Sequence, residues 1–160
     1  ALAHILIERG ELATARKLVE RGLGTFEPAD VHAQLLRVTL AHVLEAGGDC
    51  RTATEEYRRA VHLDRDTAAG ARLGLARCLA ASGDPAGARA LVDVELARGI
   101  DAPRERTRAL LLAAEVRWRT GSQGSALEAA RAGLAVASEM PGLAELRRRL
   151  EVWIASHSVR

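Results

Sequence analysis

Apolar residues recur at helical spacing along the whole chain. One set lies at positions i, i+4, i+7 and i+8 and consists of Leu36, Leu40, Val43 and Leu44. A second set of apolar or aromatic residues consists of Ala53, Tyr57, Ala60 and Val61. The pattern predicts an all-α chain without strands. The predicted helices cover residues 1–9, 11–23, 29–46, 50–63, 67–81, 85–98, 103–120, 123–138 and 142–156.

Glycine turns interrupt this pattern at nearly equal intervals. The glycines are spaced by 38, 35 and 38 residues and are Gly10, Gly48, Gly83 and Gly121. Five residues after each of them stands an alanine: Ala15, Ala53, Ala88 and Ala126. A glycine at the end of an apolar helix can adopt the left-handed conformation that stops the helix. Alanine suits a close crossing of two helices. We therefore predict a helix hairpin with a buried alanine at each turn.

The residues after these glycines are suited to begin new helices. Asp49, Asp84 and Ser122 carry side-chain oxygens that can accept hydrogen bonds from free helix N–H groups. Pro85 fits the first position of a helix, where its missing N–H costs nothing. The sequence thus predicts three capped second helices.

The last predicted helix is amphipathic. Its apolar side carries Leu143, Leu146, Leu150, Trp153 and Ile154. Its other sides carry Glu145, Arg147, Arg148, Arg149 and Glu151. Because the ends of repeat arrays need a polar outer face, we predict a C-terminal capping helix.

Paired helices, glycine-acid turns, the alanine five residues later and prolines between units resemble the tetratricopeptide repeat family. The resemblance implies a right-handed superhelical solenoid of antiparallel helix hairpins, forming one domain over residues 1–160. Its expected parts are a partial repeat at 1–28, repeats at 29–66, 67–101 and 102–141, and a capping helix at 142–160. The array is divergent. Arg37, Arg72 and Leu110 replace the family's large aromatic, and Ala41, Ala76 and Ala114 replace its usual glycine.

The resemblance also implies a site. First helices of such arrays line a concave groove, and the residue six positions before each turn glycine points into it. These residues are His4, His42, Arg77 and Glu115, and with Arg108 and Trp118 on the same face they form the predicted partner-binding groove. The same face is expected to present Leu35, Val38, Glu45, Leu73 and Leu111. A core-facing Trp118 is the alternative, because Arg117 stands where the other repeats have leucine.

Composition restricts the partners. The 23 basic and 21 acidic residues give a net charge of +2, without the basic stripe that nucleic-acid binding requires. Apolar runs are too short for a membrane span. Two cysteines are too few for a disulfide framework and suit a reducing cytoplasm. Cys50 and Cys78 are expected to lie near each other on neighbouring helices, as packing residues.

No motif predicts catalysis. The chain lacks a Gly-rich phosphate loop, a His-Glu-x-x-His helix and a Gly-x-Ser-x-Gly elbow. The histidines are never three or four residues apart, and they are His4, His32, His42, His62 and His157. We therefore predict no enzyme activity and no catalytic, cofactor or metal site.

The sequence favours a protein-interaction scaffold that binds a peptide or helix of a partner protein. A second hypothesis comes from a further resemblance, to the helical-repeat regions of large ATP-binding LuxR-type transcriptional regulators. It implies a sensory or regulatory module of a larger bacterial regulator, and the missing initiator methionine is expected of such a piece. An accessory subunit of a biosynthetic enzyme is a third reading, which the sequence does not separate from the first.

Overall fold

The computed structural model describes residues 2–60 and 65–158, with the side chains of residues 65–67 left aside. All regular structure in these ranges is helical, as predicted. The helices are α1 (Leu2–Glu8), α2 (Leu12–Leu23), α3 (Val31–Ala46), α4 (Cys50–Ala60), α5 (Arg65–Ala81), α6 (Pro85–Arg98), α7 (Pro103–Arg119), α8 (Gln123–Ser138) and α9 (Ala144–His157). A 3₁₀ turn, Pro141–Leu143, precedes α9. Val61 and His62, which the sequence analysis named, lie outside the described residues.

The chain forms two compact units, residues 1–82 and residues 83–160. In the first unit, α1 packs on α2 and α3 on α4, while α3 also packs on α5 and α4 on α5. In the second unit, α7 packs on α6 and α8, and α8 packs on α9. The single domain and the repeat boundaries given by the sequence remain predictions. No helix in the described ranges is long and apolar enough to cross a lipid bilayer.

The turn glycines adopt the conformation that the sequence predicted. Their φ angles are 74° at Gly10, 83° at Gly48, 89° at Gly83 and 83° at Gly121. At Gly48, the glycine N–H donates to the Glu45 carbonyl and the Asp49 N–H donates to the Leu44 carbonyl, at 2.9 Å each. The same pair of bonds recurs at Gly10 and Gly121, and both bonds satisfy carbonyls at a helix end. The glycines therefore follow the ends of α1, α3, α5 and α7, which we call the first helices.

Two of the three predicted helix caps are present. The Asp49 carboxylate accepts from the Thr52 N–H at 3.1 Å, and the Asp84 carboxylate accepts from the Gly87 N–H at 2.8 Å. The predicted cap at Ser122 is wrong, because no backbone N–H reaches its hydroxyl. The guanidinium of Arg89 donates to the Ser122 Oγ instead, at 2.8 Å. Pro85 begins α6, as predicted.

Small residues form the tightest part of the core. The alanines five residues after the turns are completely buried, which confirms Ala15, Ala53, Ala88 and Ala126. In the first unit, the ring of Tyr57 on α4 is also completely buried and fills the space beside Gly74 on α5. Tyr57 therefore provides a large aromatic ring between α4 and α5.

The last helix has the two-sided character that the sequence predicted. Leu146 and Leu150 are buried, and Trp153 and Ile154 are partly buried. The charged residues of α9 face solvent, where Arg148 pairs with Glu145 at 2.8 Å. This side chain arrangement agrees with a polar outer face on the second unit.

Enlarging Ala126 should destabilise the protein. Ala126→Leu adds three carbon atoms to a completely buried position on α8, and overpacking of this kind costs about 1–3 kcal/mol. Ala132→Leu makes the same change at an exposed position of the same helix and should alter the free energy of unfolding by less than about 0.5 kcal/mol. Urea unfolding followed by circular dichroism measures both values. Equal stability of the two variants would contradict the assigned packing.

Candidate partner-binding surface

The first helices α3, α5 and α7 each carry an accessible residue between two buried ones. His42, Arg77 and Glu115 stand six positions before their turn glycines and remain partly exposed. Both sequence neighbours of each are buried, with exposures of at most 3 %: Ala41, Val43, Ala76, Cys78, Ala114 and Val116. Consecutive helical residues point about 100° apart. Each accessible residue therefore lies between two walls of packed side chains. We call the helix face that these residues share with His4, Leu35, Arg108 and Trp118 the first-helix strip.

In the first unit, three aromatic rings on α1, α3 and α4 lie in a row. The rings of His4 on α1 and His42 on α3 lie 5.7 Å apart between centroids. The ring of His42 meets that of Tyr57 edge-on, at 5.5 Å. His4 is exposed and His42 is half-buried, so the structure brings together two of the predicted groove residues.

Arg77, the strip residue of α5, is bonded to Glu45 on α3. The Arg77 guanidinium donates to both carboxylate oxygens of Glu45, from Nε at 2.5 Å and from Nη2 at 3.0 Å. The Tyr57 hydroxyl donates to the same carboxylate at 2.5 Å. Burial, with Glu45 nearby, raises the pKa of Tyr57, so the hydroxyl stays protonated as a donor. The three groups join α3, α4 and α5.

Part of the expected strip is wrong. Val38, Leu73 and Leu111 are buried, with exposures of 7 %, 4 % and 5 %, whereas Leu35 is exposed. The buried residues stand ten positions before the turn glycines. They are rotated about 40° around the helix from the accessible position, and this rotation turns them towards packed neighbours. The accessible strip is therefore narrower than the sequence indicated.

In the second unit, the strip faces α9. Arg108 is exposed and pairs with Glu105 at 3.1 Å. Trp118 is partly buried, and its ring lies 5.9 Å from that of Trp153 on α9. Arg117, on the adjacent side of α7, donates to the Asp93 carboxylate of α6 at 2.7 Å. Trp118 is thus partly covered by the Trp153 and His157 rings of α9.

Helix α9 contributes two aromatic residues to this surface that the repeat pattern did not predict. The imidazole of His157 stacks on the Trp153 indole, with centroids 4.0 Å apart and an interplanar angle of 13°. It also meets the Trp118 ring at 4.5 Å. The spacing of Trp153 and His157 by one helical turn was the available signal, since residues four apart share a helix face.

Glu115 is the unusual ionisable group of the second unit. It is half-buried, and it makes no hydrogen bond or ion pair with any residue in the described part of the chain. Burial raises the pKa of this carboxyl, while the positive charges of Arg149 and Arg119 partly oppose the shift. The carboxylate is thus partly removed from water without a bonded partner.

Replacing Glu115 should stabilise the protein at neutral pH. A raised carboxyl pKa means that the folded state disfavours the ionised form, so ionisation lowers stability as pH rises through the folded pKa. Glu115→Gln should therefore unfold at higher urea concentration than the parent at pH 7. This advantage should shrink as pH falls and the parent carboxyl becomes protonated. A variant that is less stable than the parent at pH 7 would contradict the assignment.

The two cysteines are adjacent, as predicted. Both are free thiols, with Cys78 buried and Cys50 half-buried. Burial and a hydrogen bond with Cys50 raise the pKa of the Cys78 thiol. A thiol held protonated is a poor nucleophile, which agrees with a packing role. Among the described residues, no three His, Cys, Asp or Glu side chains are grouped as metal ligands would be.

Helix pairs joined by glycine turns, with an accessible strip on the first helices, define a helical-repeat protein of the helix-hairpin class. Residues 38–103 match the model of the tetratricopeptide repeat. The match agrees with the tetratricopeptide resemblance that the sequence indicated for the chain. Its assignment to a LuxR-type regulator remains a prediction. No curated protein matches the chain.

Solved structures support the fold. PcrH from Pseudomonas aeruginosa is similar with a TM-score of 0.69 and 19 % identity, covering 81 % of this chain and 95 % of PcrH. PcrH in complex with the chaperone-binding region of PopB is similar with a TM-score of 0.67 and 20 % identity, over 79 % and 98 % of the two chains. MamA is similar with a TM-score of 0.63 and 16 % identity, over 98 % and 92 %. At these identities the similarity establishes the fold alone.

Proposed function

We propose that the chain is a protein-interaction scaffold whose first-helix strips bind a peptide or helix of a partner protein. One observation carries the proposal: accessible polar residues recur at the same position of the first helices, between buried neighbours. A protein core would place its most apolar residues at such positions. Accessible histidine, arginine and glutamate there are suited to contact another molecule.

The chemistry of the strip favours binding over catalysis. In the first unit, the Glu45 carboxylate already accepts bonds from both Arg77 and Tyr57. A carboxylate that is held in this way fixes the positions of its neighbours. Exposed Leu35 lies on the same helix and supplies apolar area to a partner. We therefore propose that the chain is not an enzyme.

Two further observations support a peptide partner in a reducing compartment. The similar protein PcrH has been crystallised with the chaperone-binding region of PopB, which is a protein segment. Cys50 and Cys78 are adjacent free thiols, which suits the cytoplasm, where thiols stay reduced.

Selection from a displayed library of random peptides tests the proposal. The purified chain is immobilised, enriched peptides are synthesised, and their affinities are measured by fluorescence anisotropy. We expect saturable binding that weakens about fivefold or more in Leu35→Ser or in Arg108→Ala, depending on which unit holds the peptide, because a dominant contact is worth more than about 1 kcal/mol.

A matched control separates the strip from general surface charge. Arg131→Ala removes an exposed arginine from α8, outside the strip, and should leave the affinity unchanged. The proposal is wrong if no peptide is enriched. It is also wrong if peptides bind Leu35→Ser and Arg108→Ala as tightly as the parent.

A further inference from the structure

The two tryptophans of the chain form one cluster at the end of the second unit. Trp118 on α7 and Trp153 on α9 are the only tryptophans, and their rings are nearly perpendicular, at 88°. His157 covers one face of Trp153, and both indoles remain only partly buried. The cluster thus combines aromatic surface with access from solvent.

Glu115 adds a negative charge on the same side of α7. It precedes Trp118 by three residues, so the two side chains are neighbours on the helix surface. Its carboxylate makes no hydrogen bond within the described residues, although it is half-buried. Such a group gains strongly from a bonded cation, because charge-assisted hydrogen bonds replace the water that burial has removed.

The combination of a carboxylate and indole rings matches one side chain in particular. A guanidinium is planar, donates two parallel hydrogen bonds to a carboxylate and stacks on aromatic rings. Indole also has the strongest attraction for cations among the aromatic side chains. We propose that Glu115, Trp118 and Trp153 form a recognition site for an arginine side chain of the partner peptide. This inference rests on the proposed function and specifies the chemistry of its partner.

Two arginines of the second unit place positive charge near Glu115. Arg149 on α9 and Arg119 on α7 act on Glu115 through space, and neither forms an ion pair with it. Arg149 is exposed and stands four residues before Trp153. Its positive charge opposes an incoming guanidinium. Removing Arg149 should therefore strengthen binding of the ligand, whereas removing the Glu115 charge should weaken it.

A small probe tests the site directly. N-acetyl-arginine methylamide is titrated into the full chain, and the two indole N–H signals are followed by NMR. N-acetyl-citrulline methylamide, which has nearly the same shape without the charge, is the reference ligand. We expect weak but saturable shifts of both indole signals with the arginine probe, and at least about tenfold weaker binding of the citrulline probe.

Three variants are expected to change the affinity for the arginine probe in different ways. Glu115→Gln should weaken binding of the arginine probe at least about tenfold, since a charge-assisted bond is lost. Glu128→Gln removes the same charge from an exposed position on α8 and should leave binding unchanged. Arg149→Ala should bind the probe more tightly than the parent. Equal binding of both probes, or an unchanged affinity in Glu115→Gln, would overturn the proposal.

The outcomes also separate this site from the proposed function. If library peptides bind the first-helix strip but the arginine probe does not shift the indole signals, the arginine site is wrong and the scaffold stands. If the probe binds as expected and no peptide is enriched, the scaffold proposal fails while the cation site stands.

Discussion

Replacing Gly74 with alanine is expected to destabilise the protein by about 1–3 kcal/mol. A Cβ atom at this position would overlap the ring of Tyr57, whose hydroxyl and ring carbons already occupy that space. Tyr57 cannot move aside easily, because it is completely buried and its hydroxyl is bonded to Glu45. The cost of overlap should exceed the gain in helix propensity from glycine to alanine, which is about 1 kcal/mol.

Gly70 provides the matched control in the same helix. A Cβ atom at Gly70 would meet nothing within 4 Å, so Gly70→Ala should stabilise α5 by about 0.5–1 kcal/mol. The free energy of unfolding in urea should therefore move in opposite directions for the two variants. A Gly74→Ala variant as stable as Gly70→Ala would contradict the packing of α4 on α5.

Removing Arg77 should destabilise the protein by about 1–3 kcal/mol, because a part-buried carboxylate loses its charged partner. The Arg77 and Glu45 side chains are 35 % and 19 % exposed, so the ion pair is partly shielded from water. After Arg77→Ala, Glu45 keeps the Tyr57 bond and loses both guanidinium bonds. Thermal unfolding followed by circular dichroism measures the loss.

Arg108→Ala is the matched change at an exposed pair. The Arg108 and Glu105 side chains are 46 % and 45 % exposed, and such pairs contribute less than about 1 kcal/mol. From sequence alone, neither arginine is expected to affect the melting temperature. The structure changes that expectation for Arg77, which joins α5 to α3. Equal melting temperatures of the two variants would contradict the stabilising role of the Arg77–Glu45 pair.

The repeat architecture could be predicted because each of its elements depends on local chemistry. Some positions restrict the residue type that can stand there, and this restriction is visible in the sequence. Gly48 has a positive φ angle, and Ala53 is completely buried and leaves no room for a larger side chain. The beginnings of α4 and α6 could be predicted for the same reason, because Asp49 and Pro85 act within one helical turn of their own positions. These residues carry information that does not depend on the rest of the chain.

The details of the candidate site could not be predicted, because they depend on contacts between distant residues. Glu45 and Arg77 are 32 residues apart and pair only because α3 packs on α5. Trp118 and Trp153 meet through the position of α9, which the repeat spacing does not specify. Val38 differs from His42 by a small rotation around the helix, and that rotation decides whether a residue is buried.

NMR of the labelled chain with a library-selected peptide tests whether partners bind the first-helix strip. We expect the largest backbone shifts on the strip, either around Leu35, His42 and Arg77 or around Arg108, Glu115 and Trp118. Exposed residues of the second helices, such as Arg131 on α8, should shift little. Shifts concentrated on α2, α4 or α8, with the strip unchanged, would contradict the account.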